Sequence, residues 1–414
     1  MSNINKKCLI IGASHAGVNC AFALRKEGWE GEIHLYDKDP VLPYHRPPLS
    51  KAYLTSDDKI ERHSLKSIES YEKENIQLHL GIGVETIDWK QKTIELNNGE
   101  SMAYDKLVMA TGARPLIPPI AGLDTAKHVY PLRTAADVEH IRKALGAGVG
   151  KRAVIIGGGY IGLEIAASLK KIGAKVTVLE REERVLARVT ASEMSVFFQQ
   201  LHAEEGVDVL TQKNVVSIIS EGECNVVQCT DGSQFTADLI VIGVGIKVNL
   251  ELAKAAGLEV ENGIKVNAQA QTSDPDIYAI GDCSYHHNPI YDRWIRLESV
   301  QHAVDQSKVA AASIMNKTVI YNSIPWFWSD QYDVKLQMVG LSEGYDDLLI
   351  RREEGKRKFS VWYFKGDRLL AVDAVNNAKA YVIGTKFIKE GILLDKAKLV
   401  DSTVPLKPTE LMSA

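Results

Sequence analysis

The apolar positions fall into short unbroken runs separated by longer stretches with helical spacing. Lys7 to Ile11, Glu32 to Tyr36, Leu107 to Ala110, Ala153 to Ile156, Lys175 to Leu179, Leu239 to Ile242 and Asp276 to Ile280 read as buried strands. Helical patterns follow the first and the fourth of these, over about His15 to Glu27 and from about Gly159, and a third runs from about Glu298 to Met315. Ile76 to Leu96 reads as short strands that end in Asn98-Gly99. The tail differs: Phe359 to Phe364 and Leu369 to Val375 flank Lys365-Gly366-Asp367-Arg368 as a β-hairpin. The charge run from Arg351 to Lys358 reads as a solvated turn.

Glycines sit where two of the strand-to-helix turns fall. Gly157, Gly159 and Gly162 follow the Ala153 run, and the next strand ends at Glu180, roughly 20 residues beyond. The first glycine permits the turn, the second lets a pyrophosphate approach the backbone, and the third lets helix and strand pack closely. The helix N-terminus then offers unpaired N–H groups to phosphate. The same design appears at Gly12-Ala13-Ser14-His15-Ala16-Gly17, with Ser14 in place of the middle glycine and Asp37 as the acidic residue. The chain therefore carries two dinucleotide sites. Glycine exits at Thr111-Gly112 and at Gly243-Val244-Gly245 repeat the rhythm, as two similar αβ units would.

Prolines mark the joints. Pro115, Pro118 and Pro119 make a stiff connector after the Leu107 strand, so the second nucleotide domain is inserted within the first. The predicted class is α/β, with two Rossmann-like dinucleotide-binding domains and a C-terminal α+β domain. The boundaries are 1–115 and 246–322 for the first domain, 116–245 for the insert and 323–414 for the tail. Pro47 and Pro48 stiffen a loop that carries Arg46 and Lys51 near the first site, and Ser50 is placed to cap the helix after it.

Composition narrows the class. The 414 residues are 45% apolar and 25% charged with a net charge of -4, which implies no general affinity for nucleic acid. Five scattered cysteines suggest neither a disulfide framework nor a zinc site, which suits the cytoplasm. No apolar run is long enough to span a bilayer, and the polar start leads directly into a strand, with no signal peptide. His286-His287 has no third ligand patterned nearby, so no metal is expected and the pair reads as loop.

The order of motifs resembles the flavoproteins with two dinucleotide-binding domains and a glutathione-reductase-like fold. YHRPPLSK at Tyr44 to Lys51, GGGYIGLE at Gly157 to Glu164 and PWFWSDQYDVKLQMVGLSEGYD at Pro325 to Asp346 resemble, more narrowly, the ferredoxin reductases of bacterial oxygenase and P450 systems. The resemblance implies FAD in the first site and NADH in the second. Gly12, Ser14, His15, Ala16 and Gly17 would cradle the FAD pyrophosphate, and Asp37 its ribose, with Lys38 or Asp39 sharing that role. Arg46, Val84, Thr111, Gly112, Arg133, Gly281 and Asp282 would line the FAD cleft, and Val300 would offer an N–H at a helix N-terminus to the flavin. Gly157, Gly159, Tyr160, Ile161, Gly162, Glu180, Gly243 and Gly245 would form the NADH site, Glu180 opposing a 2′-phosphate. Tyr160 would cover the flavin before nicotinamide arrives, Lys51 and Glu164 would pair beside its N5 edge, and Trp328 would lie against it on the partner side.

The disulfide reductases of this fold carry a redox cysteine pair just after the first acidic strand; Asp37 to Lys51 contains no cysteine. Flavin accepts hydride and releases single electrons, which nicotinamide does not do readily. The implied activity is electron transfer from NADH through FAD to a [2Fe–2S] ferredoxin docked transiently at the flavin edge, with Arg296, Lys308 and Lys335 as candidate docking cations. A rubredoxin reductase, an NADH oxidase or an NADH-sensing flavoprotein are the alternatives.

Overall fold

The computed structural model describes residues 3–146, 148–355 and 357–413. The chain divides into two compact units: one holds the chain up to His45, Ile60–Arg114 and Lys247–Phe327, the other Arg46–Lys59, Pro115–Ile246 and Trp328 onward.

In the first unit five parallel strands lie in the order Ile277–Ala279, Lys106–Met109, Lys7–Ile11, Glu32–Asp37, Ile76–Leu80. The runs are apolar on both faces because the sheet is covered on both. On one face the helices His15–Glu27 and Val300–Ile314 pack around Cys8, Ile10, Ile33, Leu35 and Val108. On the other, Leu9, Ile11, Leu107 and Met109 meet a three-stranded meander, Val84–Asp88, Thr93–Leu96 and Ser101–Ala103. His286-His287 lies in the strand Ser284–Asn288 rather than in a loop, because His286 turns inward and is 2% exposed.

The second unit repeats the plan. Asp208–Leu210, Lys175–Leu179, Arg152–Ile156, Leu239–Ile242 and Val129–Pro131 are parallel in that order. Its meander is Val215–Glu221, Cys224–Cys229 and Gln234–Ala237, so Cys224 and Cys229 end a single strand. The tail forms an antiparallel sheet in the order Trp326–Gln331, Val334–Gly340, Arg368–Val375, Phe359–Lys365, Asp347–Arg352. The helix Ala378–Glu390 lies on one face of it, close enough that a Cβ on Gly384 would stand 2.6 Å from Val372 Cγ2.

The charge run contains a core residue. Arg351 is 1% exposed: its Nη1 donates to the carbonyls of Leu399 and Asp401 (3.0 Å each), its Nη2 to Val404 (2.7 Å) and Ser402 (3.4 Å), and its Nε to Glu353 (2.6 Å). Arg352, Glu354 and Lys358 in the same run are exposed, so only tertiary context distinguishes Arg351. Among the described residues no helix is long and apolar enough to cross a membrane.

Candidate functional site

Two glycine cradles are built on the strand–helix turns. In the first unit Gly12 has φ +104°, and a Cβ there would meet Ala110 O at 2.3 Å; on Gly17 it would meet Gly12 O at 1.8 Å. Neither position admits a side chain. Ser14 stands at the N-cap of the His15–Glu27 helix and makes no capping bond through its side chain, which leaves that end suited to an anion. Asp37 closes the turn: its Oδ2 accepts from Ala13 N–H (2.6 Å) and its Oδ1 from Asp39 N–H (2.9 Å). Gly281, at φ +74°, brings a second turn against this helix, since a Cβ on it would lie 3.0 Å from Ala16 Cβ and 3.8 Å from Ala303 Cβ.

The structure thus gathers Ala16, the Gly281–Asp282 turn and the start of the Val300–Ile314 helix. Ser299 caps that helix by accepting from His302 N–H at 3.1 Å. Gly281 N–H donates to Gln306 Oε1 (2.9 Å), a partner that local sequence does not reveal. Thr111 and Gly112 are fixed by Asn249, whose Nδ2 donates to Thr111 O (2.8 Å) and whose N–H donates to Gly112 O (3.0 Å). Val84 is buried at the start of its strand, whereas Lys38 is exposed and reaches Glu85 at 3.5 Å. His15 is buried, its ring 5.4 Å from that of His45.

In the second unit Gly157 has φ +111°, with Gly243 O 2.4 Å from where a Cβ would stand, and on Gly162 a Cβ would meet Gly157 O at 2.1 Å. Gly159 faces open space, with nothing within 4 Å, the property a phosphate-contacting glycine needs. It is the N-cap of the Tyr160–Lys171 helix. Glu180 Oε2 accepts from Gly158 N–H (2.6 Å) and Oε1 from Glu182 N–H (2.9 Å), the same closure that Asp37 makes. Gly245, at φ +118°, accepts through its carbonyl from Leu116 N–H (2.9 Å). Ile161 is 44% exposed beside the cradle. Arg181 is turned to solvent and paired with Glu182 at 2.7 Å, while Arg184 is spent on Thr190 O (2.8 Å), Ser195 Oγ (2.7 Å) and Ala187 O (2.9 Å). Both cradles have the shape and the donor set that a dinucleotide pyrophosphate requires.

Lys51 and Glu164 also come together. Glu164, 1% exposed on the Tyr160–Lys171 helix, accepts from Lys51 Nζ at 2.5 Å and Ser50 Oγ at 2.6 Å on one oxygen and from Ser329 Oγ at 2.7 Å on the other. Ser50 therefore serves this carboxylate and does not cap the Ala52–Thr55 helix, which has no side-chain cap. Arg46 Nη1 donates to Arg133 O at 2.6 Å. Trp328 is half-buried and adjoins Ser329, so strand alternation turns its ring away from the Glu164 side. Tyr160 Oη donates to Met338 Sδ at 2.9 Å, and burial pushes its phenol well above the usual range. Of the candidate docking cations, Arg296 is largely buried and paired with Glu298 at 2.7 Å, and Lys308 reaches Asp305 at 3.3 Å.

Comparison with known proteins identifies the family. The family described as pyridine nucleotide-disulphide oxidoreductase matches residues 6–307, and the one described as reductase C-terminal matches residues 326–410. Putidaredoxin reductase CamA of Pseudomonas putida is 44% identical over 410 residues, 98% of this chain and 97% of that protein. A rubredoxin-NAD(+) reductase of Pseudomonas putida is 37% identical over 372 residues, 90% of this chain and 96% of the other. A chain in the crystal structure of the covalent putidaredoxin reductase–putidaredoxin complex superposes with a TM-score of 0.93 at 43% identity, covering 98% of both chains.

Proposed function

Because the chain belongs to the pyridine nucleotide-disulphide oxidoreductase family, with a reductase C-terminal domain behind it, we propose that it is an FAD-dependent NADH:ferredoxin oxidoreductase. It passes electrons from NADH one at a time to a [2Fe–2S] ferredoxin that serves a P450 or Rieske-type oxygenase. The observation that carries this reading is full-length similarity to a putidaredoxin reductase in a chain with no cysteine between Asp37 and Lys51. Bound FAD would supply the chemistry, accepting two electrons as hydride and releasing them singly.

The side chains hold and orient. Gly12 to Gly17, Asp37 and the Gly281–Asp282 turn fit the first dinucleotide, with Val300 N–H at its helix end for the flavin. Gly157 to Gly162 and Glu180 fit the second, and Glu180 opposes a 2′-phosphate. The Lys51–Glu164 pair presents one cation and one carboxylate fixed by two serines, suited to steadying charge without a thiol. Domain limits near 115, 245 and 322 and a cytoplasmic location, where NADH is the reductant, complete the proposal.

The likeness to a rubredoxin-NAD(+) reductase supports a second reading in which rubredoxin is the acceptor. Stopped-flow mixing with NADH, then with a panel of [2Fe–2S] ferredoxins and rubredoxin, separates the two. The first reading expects rapid bleaching of the flavin and then of an iron–sulfur protein. Bleaching of rubredoxin alone would favour the second, and reduction of neither would refute both.

A further inference from the structure

One buried acid takes no part in the chemistry above. Asp373 lies in the strand Arg368–Val375, opposite Met338 on one neighbouring strand and Val361 on the other, and is 4% exposed. A carboxylate on an apolar sheet face is costly unless donors meet it. Two do: Thr190 Oγ1–H at 2.6 Å and Tyr363 Oη–H at 2.5 Å, both on Oδ2. Tyr363 Oη accepts in turn from Ala191 N–H at 3.3 Å. Ala191 is the N-cap of the Ser192–Glu204 helix, and the tail sheet takes up its backbone N–H through Tyr363, the donor that an N3 side chain satisfies in a capping box. The negative charge behind it also suits that helix end.

Thr190 closes the segment that begins at Glu180. Arg184 ties that segment to Thr190 O and Ser195 Oγ, and Ser195 Oγ–H donates to Val185 O at 2.6 Å. Leu186 N–H donates to Gly158 O at 3.0 Å, and Gly158 N–H donates to Glu180 Oε2. A continuous set of bonds therefore runs from Asp373 to the glycine cradle. Asp373 also backs Tyr160: the phenol's sulfur partner, Met338, is the residue paired with Asp373 across the sheet, and the carboxylate's charge adds to the burial that pushes the phenol up.

We propose that Asp373 is a positioning residue for NADH, mooring the Glu180–Thr190 segment and the Ser192–Glu204 helix through Thr190 and Tyr363, with its ionised form holding them more tightly than its neutral form. The inference rests on the NADH reading of the Gly157–Gly162 cradle. Ionised carboxylate gives charge-assisted bonds, about twice as strong as neutral ones. Burial raises the Asp373 carboxyl to about 6, with the two hydroxyl donors opposing the rise. The groups around it are Tyr363 and Thr190, Tyr345 edge-on to Tyr363 at 5.2 Å, and Tyr160, which also feels Glu164. The lysines of the Ala378–Glu390 helix belong to the opposite face, where Gly384 meets Val372.

The test is anaerobic stopped-flow reduction of the holoenzyme over a range of NADH concentrations, from about pH 5 to about pH 8. In the wild type the apparent Kd for NADH rises as pH falls through about 6, while the limiting reduction rate changes less. Asp373→Asn removes that inflection and weakens NADH about tenfold at the upper end. Thr190→Val and Tyr363→Phe keep the inflection but move it to higher pH, since each removes a donor that favours the charged form. These two variants decide the matter if Asp373→Asn does not fold. An inflection unchanged in all three, or a loss confined to the limiting rate, overturns the proposal. Wild-type flavin that NADH does not bleach would instead sink the NADH reading itself.

Discussion

Replacing Glu164 by Gln removes one charge from a buried pair and leaves the other in place. Glu164 is 1% exposed and the Lys51 side chain 21%, with Nζ 2.5 Å from the carboxylate. Breaking a buried ion pair costs about 3–5 kcal/mol. Lys51 keeps a fifth of its side-chain surface in water, which places the loss at the lower end, about 3 kcal/mol. The amide keeps one acceptor oxygen, so one of the two serine bonds survives. For a unit of about 150–250 residues each kcal/mol moves the midpoint by about 2–4 °C, hence a fall of about 6–12 °C. Thermal unfolding followed by circular dichroism reads this directly, and because the pair is shielded the fall persists in high salt. Lys51→Met should cost a similar amount, and the double variant little more than either single one, a coupling of about 2 kcal/mol or more. A midpoint within a degree or so of wild type, or strictly additive losses, would refute the pairing as a source of stability.

Gly157→Ala places a Cβ 2.4 Å from Gly243 O at φ +111°, so backbone strain alone should cost about 1–3 kcal/mol and NADH binding should fall with it; titration calorimetry of the purified variant would check both folding and affinity. Glu180→Ala removes the acceptor of Gly158 N–H together with the proposed ribose partner; KM for NADH should rise about tenfold with kcat nearly constant, and an unchanged KM would count against the assignment. Asp238, bonded to Arg152 through N–H (2.8 Å), Nε (3.1 Å) and Nη2 (2.6 Å), is lowered from 3.8 to about 2 by the guanidinium, so it contributes stability above its ordinary value that is lost as pH falls toward 2. In Asp238→Asn the acid-unfolding curve should be flatter over that window, and a curve superposable on wild type would contradict the sign.

Both glycine cradles are legible in the sequence because each demand there is local. A turn with positive φ needs glycine, a buried parallel strand needs an unbroken apolar run, and the acid that closes the turn follows at fixed reach. The start of the Val300–Ile314 helix and the 365–368 hairpin are legible for the same reason. What escapes are contacts whose partners lie far along the chain. Ser50 looks like a cap because it precedes a short helix, yet its hydroxyl goes to Glu164. His286 looks like loop because a histidine pair carries no strand signature, although its ring is in the core. Asp373 reads as one polar residue in an apolar strand, and nothing near it in sequence points to Thr190. Gln306 sits unremarked on a helix until Gly281 is seen to need an acceptor.

Arg351 shows what such a distant contact does for the end of the chain. Four carbonyls between Leu399 and Val404 wrap one guanidinium, so this stretch is a latch, not trailing cord. Trimming the protein ahead of residue 399 would leave a cation inside the C-terminal sheet with its wrapping stripped off. An affinity tag or fusion partner therefore belongs after Leu411, never in exchange for the residues that close over Arg351.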